Sequence, residues 1–195
     1  MGGRGGRTAP AIPVTRDAAD GPLAWNVAGL LADEPGSERD HAVDGVTIDL
    51  GADLGLARPI EGRVRLLRTN RGILAKADLE AALALECSRC LRDVTYAVRI
   101  QIEEEYLPAL DLATGRPLPT EDEPEVARLT DHHELDLETP VREALQLSEP
   151  IAALCRPDCP GLCLVCGLPL DEGSHDHPTD DIDPRLEALR AFRPD

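Results

Sequence analysis

The segment that decides the fold runs from residue 85 to residue 103 and reads L-E-C-S-R-C-L-R-D-V-T-Y-A-V-R-I-Q-I-E. Its second half alternates between apolar side chains and side chains that are polar or small. The apolar set is Val94, Tyr96, Val98, Ile100 and Ile102. A period of two residues is typical of a strand that buries one face. The segment therefore predicts a half-buried strand directly after a Cys-x-x-Cys motif, formed by Cys87 and Cys90.

The residues before this motif, 73–86, carry two conflicting signals. Leu79, Leu83 and Leu85 share the parity of a strand, whereas the composition A-D-L-E-A-A-L-A-L-E suits a helix by propensity. Because the following segment alternates so clearly, we interpret 73–86 as a strand as well. The sequence C-S-R-C then lies at the tip of a hairpin, where backbone amides can donate hydrogen bonds to thiolate sulfurs.

Two further strands are predicted upstream of this hairpin. Residues 41–50 alternate at Val46, Ile48 and Leu50. Residues 60–68 alternate too, with Ile60, Gly62, Val64 and Leu66 on one face and Glu61, Arg63 and Arg65 on the other. Residues 70–72 indicate a turn, and residues 23–33 suit either a strand or a short helix. We expect an antiparallel β-domain over residues 40–106.

Two helices are predicted in the second half of the chain. Thr139 is a good N-cap and Pro140 a good first helical residue, so a helix is expected over 139–149. A last helix is expected over 184–192, opened by Asp183 and Pro184.

The sequence therefore predicts an α+β fold: an antiparallel β-domain, a few packed helices and a C-terminal segment that binds zinc. Its parts are a flexible tail over 1–22, a domain over 23–150 that includes an acidic loop over 108–134, and a Cys/His segment over 151–195. The tail and the loop are rich in Pro and carry no hydrophobic period.

The Cys/His segment holds C-R-P-D-C-P-G-L-C-L-V-C-G, residues 155–167, followed by S-H-D-H, residues 174–177. The candidate metal ligands are Cys87, Cys90, Cys155, Cys159, Cys163, Cys166, His175 and His177. Pairs with this spacing close structural zinc sites. One arrangement joins Cys87 and Cys90 to Cys155 and Cys159, and Cys163 and Cys166 to His175 and His177. The alternative is a single site of Cys87, Cys90, Cys163 and Cys166. We expect one or two structural zinc ions.

Disulfides and redox chemistry are less favoured explanations of these cysteines. The first residues carry arginines without an apolar stretch behind them, which does not fit a secretory signal, and no apolar run is long enough to span a membrane. We therefore expect a cytoplasmic protein, in which cysteine pairs more often bind metal than form disulfides. A thioredoxin-like pair would need a βαβ context, whereas Cys87 and Cys90 follow a predicted strand in a hairpin.

The charge of the chain is strongly uneven. The net charge is −17, which repels phosphate backbones unless positive charge is concentrated. Residues 58–76 concentrate six basic side chains against one acid, Glu61. These candidate RNA-binding or partner-binding residues are Arg58, Arg63, Arg65, Arg68, Arg71 and Lys76. A run of this kind is also common on an ordinary solvated face.

The two cysteine segments resemble the YceD family. L-C-R-P-D-C-P-G-L-C-L-V-C-G-L-P-L-D-E-G with its I-D-P-R-L-E-A-L tail is similar to the C-terminal signature of that family, and L-E-C-S-R-C-L before E-E-E-Y is similar to its central motif. The resemblance covers most of residues 25–193 and implies a role in the accumulation of large-subunit ribosomal RNA. Many relatives carry Cys-x-Cys where this chain has His175 and His177, and histidine also binds zinc.

Three functions are compatible with this sequence. The first is a non-enzymatic zinc-binding factor of bacterial ribosome biogenesis that engages the pre-ribosomal large subunit through ribosomal RNA, a basic ribosomal protein, or both. The second is a zinc-stabilised interaction module unrelated to ribosomes. The third is a zinc hydrolase or redox enzyme, which the absence of H-E-x-x-H, nucleophile-elbow and phosphate-loop motifs disfavours. We expect no small-molecule substrate and no membrane contact. The basic run favours RNA, whereas the acidic loops at 121–138 and 171–183 favour a basic protein.

Overall fold

A computed structural model describes residues 21–111, 113–118 and 126–177, together with residues 185, 186 and 189. Residues 1–20 of the predicted tail, six of the nine residues of the last predicted helix and the acidic stretch 119–125 lie outside these residues. The chain divides into two compact units. The first unit comprises the residues up to Leu85 and Thr95–Ile151, and the second comprises Glu86–Val94 and the residues from Ala152 onward.

The first unit is built on a four-stranded sheet. The elements in chain order are β1 (Ala24–Asn26), α1 (Ala28–Ala32), β2 (Glu38–Val46), β3 (Gly55–Arg68), β4 (Ile73–Glu86), β5 (Asp93–Tyr106), β6 (Glu134–Asp136) and α2 (Glu138–Leu147). The sheet order is β2-β3-β4-β5, the β2–β3 and β3–β4 pairs are antiparallel, and β1 pairs with β6 in a separate antiparallel ribbon. The predicted α+β class is therefore confirmed. Among the described residues, no helix combines the length and apolar character needed to cross a membrane.

One face of the sheet is buried because its strands alternate as predicted. On β4, each odd-numbered residue from Ile73 to Leu83 is buried. The register sets Leu66 of β3 opposite Ala75 and Val64 opposite Ala77, so the buried side chains of neighbouring strands meet on the same face. Apolar residues of the helices and of β6 join the same cluster: Leu30, Leu31, Leu135, Val141 and Leu145. This core contains few aromatic rings and therefore depends on aliphatic packing.

Three local predictions differ from the structure. Strand β2 ends at Val46, before Ile48 and Leu50, and its register is already irregular between Val43 and Val46, where Gly45 has a positive φ. Tyr96 shares the parity of the buried residues of β5 but is 39% exposed.

The predicted start of the second helix also needs correction. α2 begins at Glu138, with Leu137 at the N-cap position, so Thr139 lies inside the helix. The side-chain oxygen Oδ1 of Asp136 accepts a hydrogen bond of 2.8 Å from the backbone N–H of Glu138. A carboxylate two residues upstream therefore satisfies an amide of the first turn, which is the task that the sequence analysis assigned to Thr139.

Gly62 in the middle of β3 lies very close to the backbone of the neighbouring strand β4. Its φ is +146°, and a Cβ at this position would lie 2.3 Å from the carbonyl oxygen of Asp78 on β4. Gly55 lies on the same strand, and a Cβ added there would meet nothing within 4 Å. The two glycines therefore form a matched pair.

We expect Gly62→Ala to lower the free energy of unfolding by about 2–3 kcal/mol, because β3 and β4 must separate to admit the methyl group. Gly55→Ala should change it by less than about 0.5 kcal/mol. Denaturant unfolding followed by far-ultraviolet circular dichroism measures both variants. Equal midpoints for the two variants would contradict this close packing.

Candidate metal centre

The second unit contains two turns with the same hydrogen-bond pattern. We call residues 87–92 the first knuckle and residues 163–168 the second knuckle. In each, the N–H of the first cysteine donates to the carbonyl five residues ahead, at 2.8 Å, and its carbonyl accepts from the N–H four residues ahead, at 2.9 Å. The residue that follows the second cysteine has a positive φ, 57° at Leu91 and 72° at Gly167. Such a turn directs both thiols of a Cys-x-x-Cys pair toward one point.

The first candidate cluster consists of four cysteines. Cys87 and Cys90 of the first knuckle meet Cys155 and Cys159, and all four sulfur atoms lie within 4.8 Å of one another. The Cys87–Cys159 sulfur distance is 3.8 Å and the Cys90–Cys155 distance is 3.7 Å. Zn–S bonds of about 2.3 Å in a tetrahedron give sulfur–sulfur edges of about 3.8 Å. The geometry therefore fits a four-thiolate zinc site.

The second candidate cluster joins Cys163 and Cys166 of the second knuckle to His175 and His177. The Cys166 sulfur lies 3.5 Å from Nδ1 of His175. A tetrahedral zinc ion gives a sulfur–nitrogen edge of about 3.5 Å. Nε2 of His175 lies 3.0 Å from the carbonyl oxygen of Pro169, which can only accept. In a neutral ring, Nε2 therefore carries the proton and Nδ1 keeps a lone pair for a metal.

The ring of His177 also has a nitrogen atom that is free to bind a metal. Its Nε2 atom is buried and has no hydrogen-bond partner within the described part of the chain. An unsatisfied buried polar atom costs about 1–3 kcal/mol, and coordination to a metal removes that cost. The structure thus groups the eight predicted ligands as two sets of four rather than as the single four-cysteine set.

The cysteines of the first cluster differ in acidity. A hydrogen bond from the backbone of Cys155 is the main cause that lowers the pKa of Cys87 to about 6, and the backbone of Arg92 is the main cause that lowers the pKa of Cys90. Desolvation, followed by the neighbouring thiols, raises the pKa of Cys155 to about 12, and desolvation raises that of Cys159. Four thiolates this close repel one another, and a divalent cation offsets that repulsion.

The described part of the second unit buries few apolar side chains. Among its described residues, the buried apolar side chains are Ala153 and four of the cysteines. Cys87, Cys90 and Cys159 form the centre of its small cluster, with Val94, Leu154 and Leu162 partly buried around them. A unit with so small a core needs another source of folding energy, and metal coordination is such a source.

The basic residues predicted to bind RNA or a partner lie in the first unit, and several of them lie beside acidic side chains. Arg65 is 3.0 Å from Asp40 on β2, and Lys76 is 3.0 Å from Glu103 on β5. Arg63 faces Asp78 across the β3–β4 pair. The solvent face of the sheet therefore alternates in sign instead of forming a continuous positive surface.

The other three basic residues have different surroundings. Arg68 donates to the backbone carbonyls of Leu31 and Gly72, each at 3.1 Å, and also to that of Thr69. This side chain therefore holds the β3–β4 turn in place. Arg58 and Arg71 are exposed.

The positive φ of Leu91 could have been predicted from the sequence, because aligning the two Cys-x-x-Cys turns puts Leu91 where the second knuckle has Gly167. An L-residue in the left-handed region carries a cost of about 1–2 kcal/mol.

Comparisons with known proteins agree with the resemblance seen in the sequence. Residues 75–193 match the family described as large ribosomal RNA subunit accumulation protein YceD, and the chain belongs to this family. Uncharacterized proteins of Mycobacterium bovis and Mycobacterium tuberculosis are 38% identical over 145 residues, which is 74% of this chain and 64% of theirs. An uncharacterized protein of Mycobacterium leprae is 31% identical over 141 residues, 71% of this chain and 58% of its own. The chain thus spans less than two thirds of these relatives. No solved structure matches.

We expect the protein, purified without chelator, to contain two zinc ions per chain, because two complete donor sets are present. Replacing both His175 and His177 with Ala should leave one ion, whereas His132→Ala should leave two. Elemental analysis of each purified variant gives the count. Metal-free protein whose residues 152–177 still resist proteolysis would contradict both sites.

We expect Leu91→Gly to stabilise the metal-bound first knuckle by about 0.5–1 kcal/mol, because relief of the left-handed strain exceeds the entropy cost of glycine. Leu91 is 61% exposed, so little packing is lost. Gly167→Ala should destabilise the second knuckle by about 1 kcal/mol. Competition with a chelator measures both zinc affinities, and shifts of the same sign in the two variants would refute the shared turn geometry.

Proposed function

We propose that this member of the YceD family is a non-enzymatic, zinc-stabilised factor of bacterial ribosome biogenesis that supports the accumulation of large-subunit ribosomal RNA. The observation that carries the proposal is the match of residues 75–193 to a family described by that role. The match includes both cysteine pairs with Cys-x-x-Cys spacing, so it covers the candidate metal clusters as well as strands β4 and β5.

The donor sets support a structural metal rather than a catalytic one. Each cluster supplies four side-chain donors. A catalytic zinc normally has three protein ligands and keeps one position open for water or substrate. Zinc bound by all four donors would have no position left for a reacting group, so its contribution would be to hold the second unit in shape.

Two surfaces offer different ways to engage a pre-ribosomal large subunit. Arg58 and Arg63 are exposed on β3 and can contact phosphate. At the tip of the second knuckle, Leu164 is fully exposed and Val165 is 61% exposed. Exposed apolar side chains at a turn tip are more typical of contact with protein than with RNA. The RNA contact is the one we propose first, because the family description names ribosomal RNA.

We expect Arg58→Glu combined with Arg63→Glu to weaken co-sedimentation with large-subunit precursors about tenfold, and the remaining binding to depend less steeply on salt. Arg116→Glu, a charge reversal at an exposed position between β5 and β6, is the control and should bind normally. Sedimentation of tagged protein at several salt concentrations measures both effects. Arg68 is left intact because it supports the turn.

Three other outcomes would change the proposal. Association that survives the double arginine reversal but fails in Leu164→Ser combined with Val165→Ser would identify a protein partner at the second knuckle. Association that is lost only when the acidic residues of 121–131 are neutralised, with the acids of β6 and α2 left intact, would identify a basic protein. A lack of any association with precursors would favour an interaction module unrelated to ribosomes.

A further inference from the structure

We propose that the carboxylate of Asp171 couples the two metal clusters, so that filling one cluster raises the metal affinity of the other. Asp171 is then a positioning residue: it contacts no candidate ligand itself and acts through two arginines. The inference concerns only the second unit and does not depend on the proposed ribosomal role.

Asp171 is held tightly for a residue near the surface. One guanidinium nitrogen of Arg92 donates to its two oxygens at 2.7 and 2.6 Å, and a guanidinium nitrogen of Arg156 forms an ion pair with it at 2.9 Å. The side chain of Asp171 is 21% exposed. The side chain of the next residue, Glu172, is 64% exposed and lies at a longer distance from Arg92, 3.8 Å. Two arginines on one carboxylate, one of them hydrogen-bonded to both oxygens, make this more than a solvated surface pair.

Both arginines belong to the backbone turns that aim the thiols of the first cluster. Arg92 lies two residues after Cys90, its Nε is 3.4 Å from the Cys90 sulfur, and its carbonyl accepts the N–H of Cys87. Arg156 follows Cys155, and its carbonyl accepts the N–H of Cys159. When a metal draws the four cysteines together, the positions of both arginines are fixed as well.

Asp171 itself belongs to the segment that closes the second cluster. It lies between Cys166 and His175, near the middle of the eight residues that separate them. Fixing its carboxylate therefore orders this connecting segment before the second metal binds. Part of the entropy cost of closing that loop is then already met by the first metal. By thermodynamic linkage, binding of the second metal must raise the affinity of the first cluster for its metal by the same factor.

Cobalt(II) titration tests the coupling, because four-thiolate and mixed thiolate–imidazole sites have different visible spectra. The measured quantity is the cobalt affinity of the four-cysteine cluster, with and without the change of His175 and His177 to Ala. In the chain that retains Asp171, loss of the histidines should weaken this affinity about tenfold. In Asp171→Asn, the same loss should weaken it less than about twofold. Glu172→Gln is the matched control and should keep the tenfold effect.

Arg92→Lys provides a second variant. Lysine keeps the charge but lacks the planar fork, so it cannot contact the Cys90 sulfur and Asp171 together, and the coupling should be lost here too. An unchanged four-thiolate spectrum in both variants shows that the ligand set is intact.

If loss of the two histidines weakened cobalt binding equally in the unmodified chain and in Asp171→Asn, the proposal would be overturned, because the coupling would then run through the backbone. Absence of coupling in the unmodified chain would overturn it as well. So would complete loss of cobalt binding in Asp171→Asn, because the carboxylate would then be needed for folding rather than for communication.

Discussion

Among its described residues the second unit buries almost no apolar side chains, so sulfur and nitrogen donors are the groups available to hold it together. In the first unit, aliphatic residues of the sheet, the helices and β6 form one cluster, and this burial suffices to explain a fold. In the second unit, the positions of a core are taken by Cys87, Cys90 and Cys159. The hydrogen-bonded knuckles, the orphaned His177 nitrogen and the arginine contacts to Asp171 all follow from the need to bring distant donors to two points.

The two knuckles have the same backbone turn but different surroundings at their tips. In the first, the N–H of Ser88 donates to the carbonyl of Ala153, and Arg89 donates to that of Cys159, so the tip is engaged by its own unit. In the second, Leu164 and Val165 occupy the corresponding tip positions and remain exposed. The two knuckles therefore share a backbone geometry, whereas the tip of the first is hydrogen-bonded within the unit and the side chains at the tip of the second are exposed.

The sequence predicted those features that depend on neighbouring residues. The alternation around Val98 and Ile100 and the Cys-x-x-Cys spacing gave the strands and the eight donors, because both are local patterns. The end of β2 at Val46 and the use of Asp136 at the start of α2 depend on pairing with distant segments. So does the ion pair of Arg65 with Asp40, which lies 25 residues away. A run of basic residues therefore looks more positive in the sequence than it is on the folded sheet.

The separation of the ligands along the chain has a consequence for synthesis. Cys90 and Cys155 are 65 residues apart, yet they belong to one cluster. At about 5–20 residues per second, Cys90 is synthesised about 3–13 s before Cys155. During that interval the nascent chain carries a two-thiol site that can capture a metal but cannot enclose it. A metal ion bound by all four cysteines could therefore be enclosed only after Cys159 has been synthesised, so completion of this site belongs to the late part of translation.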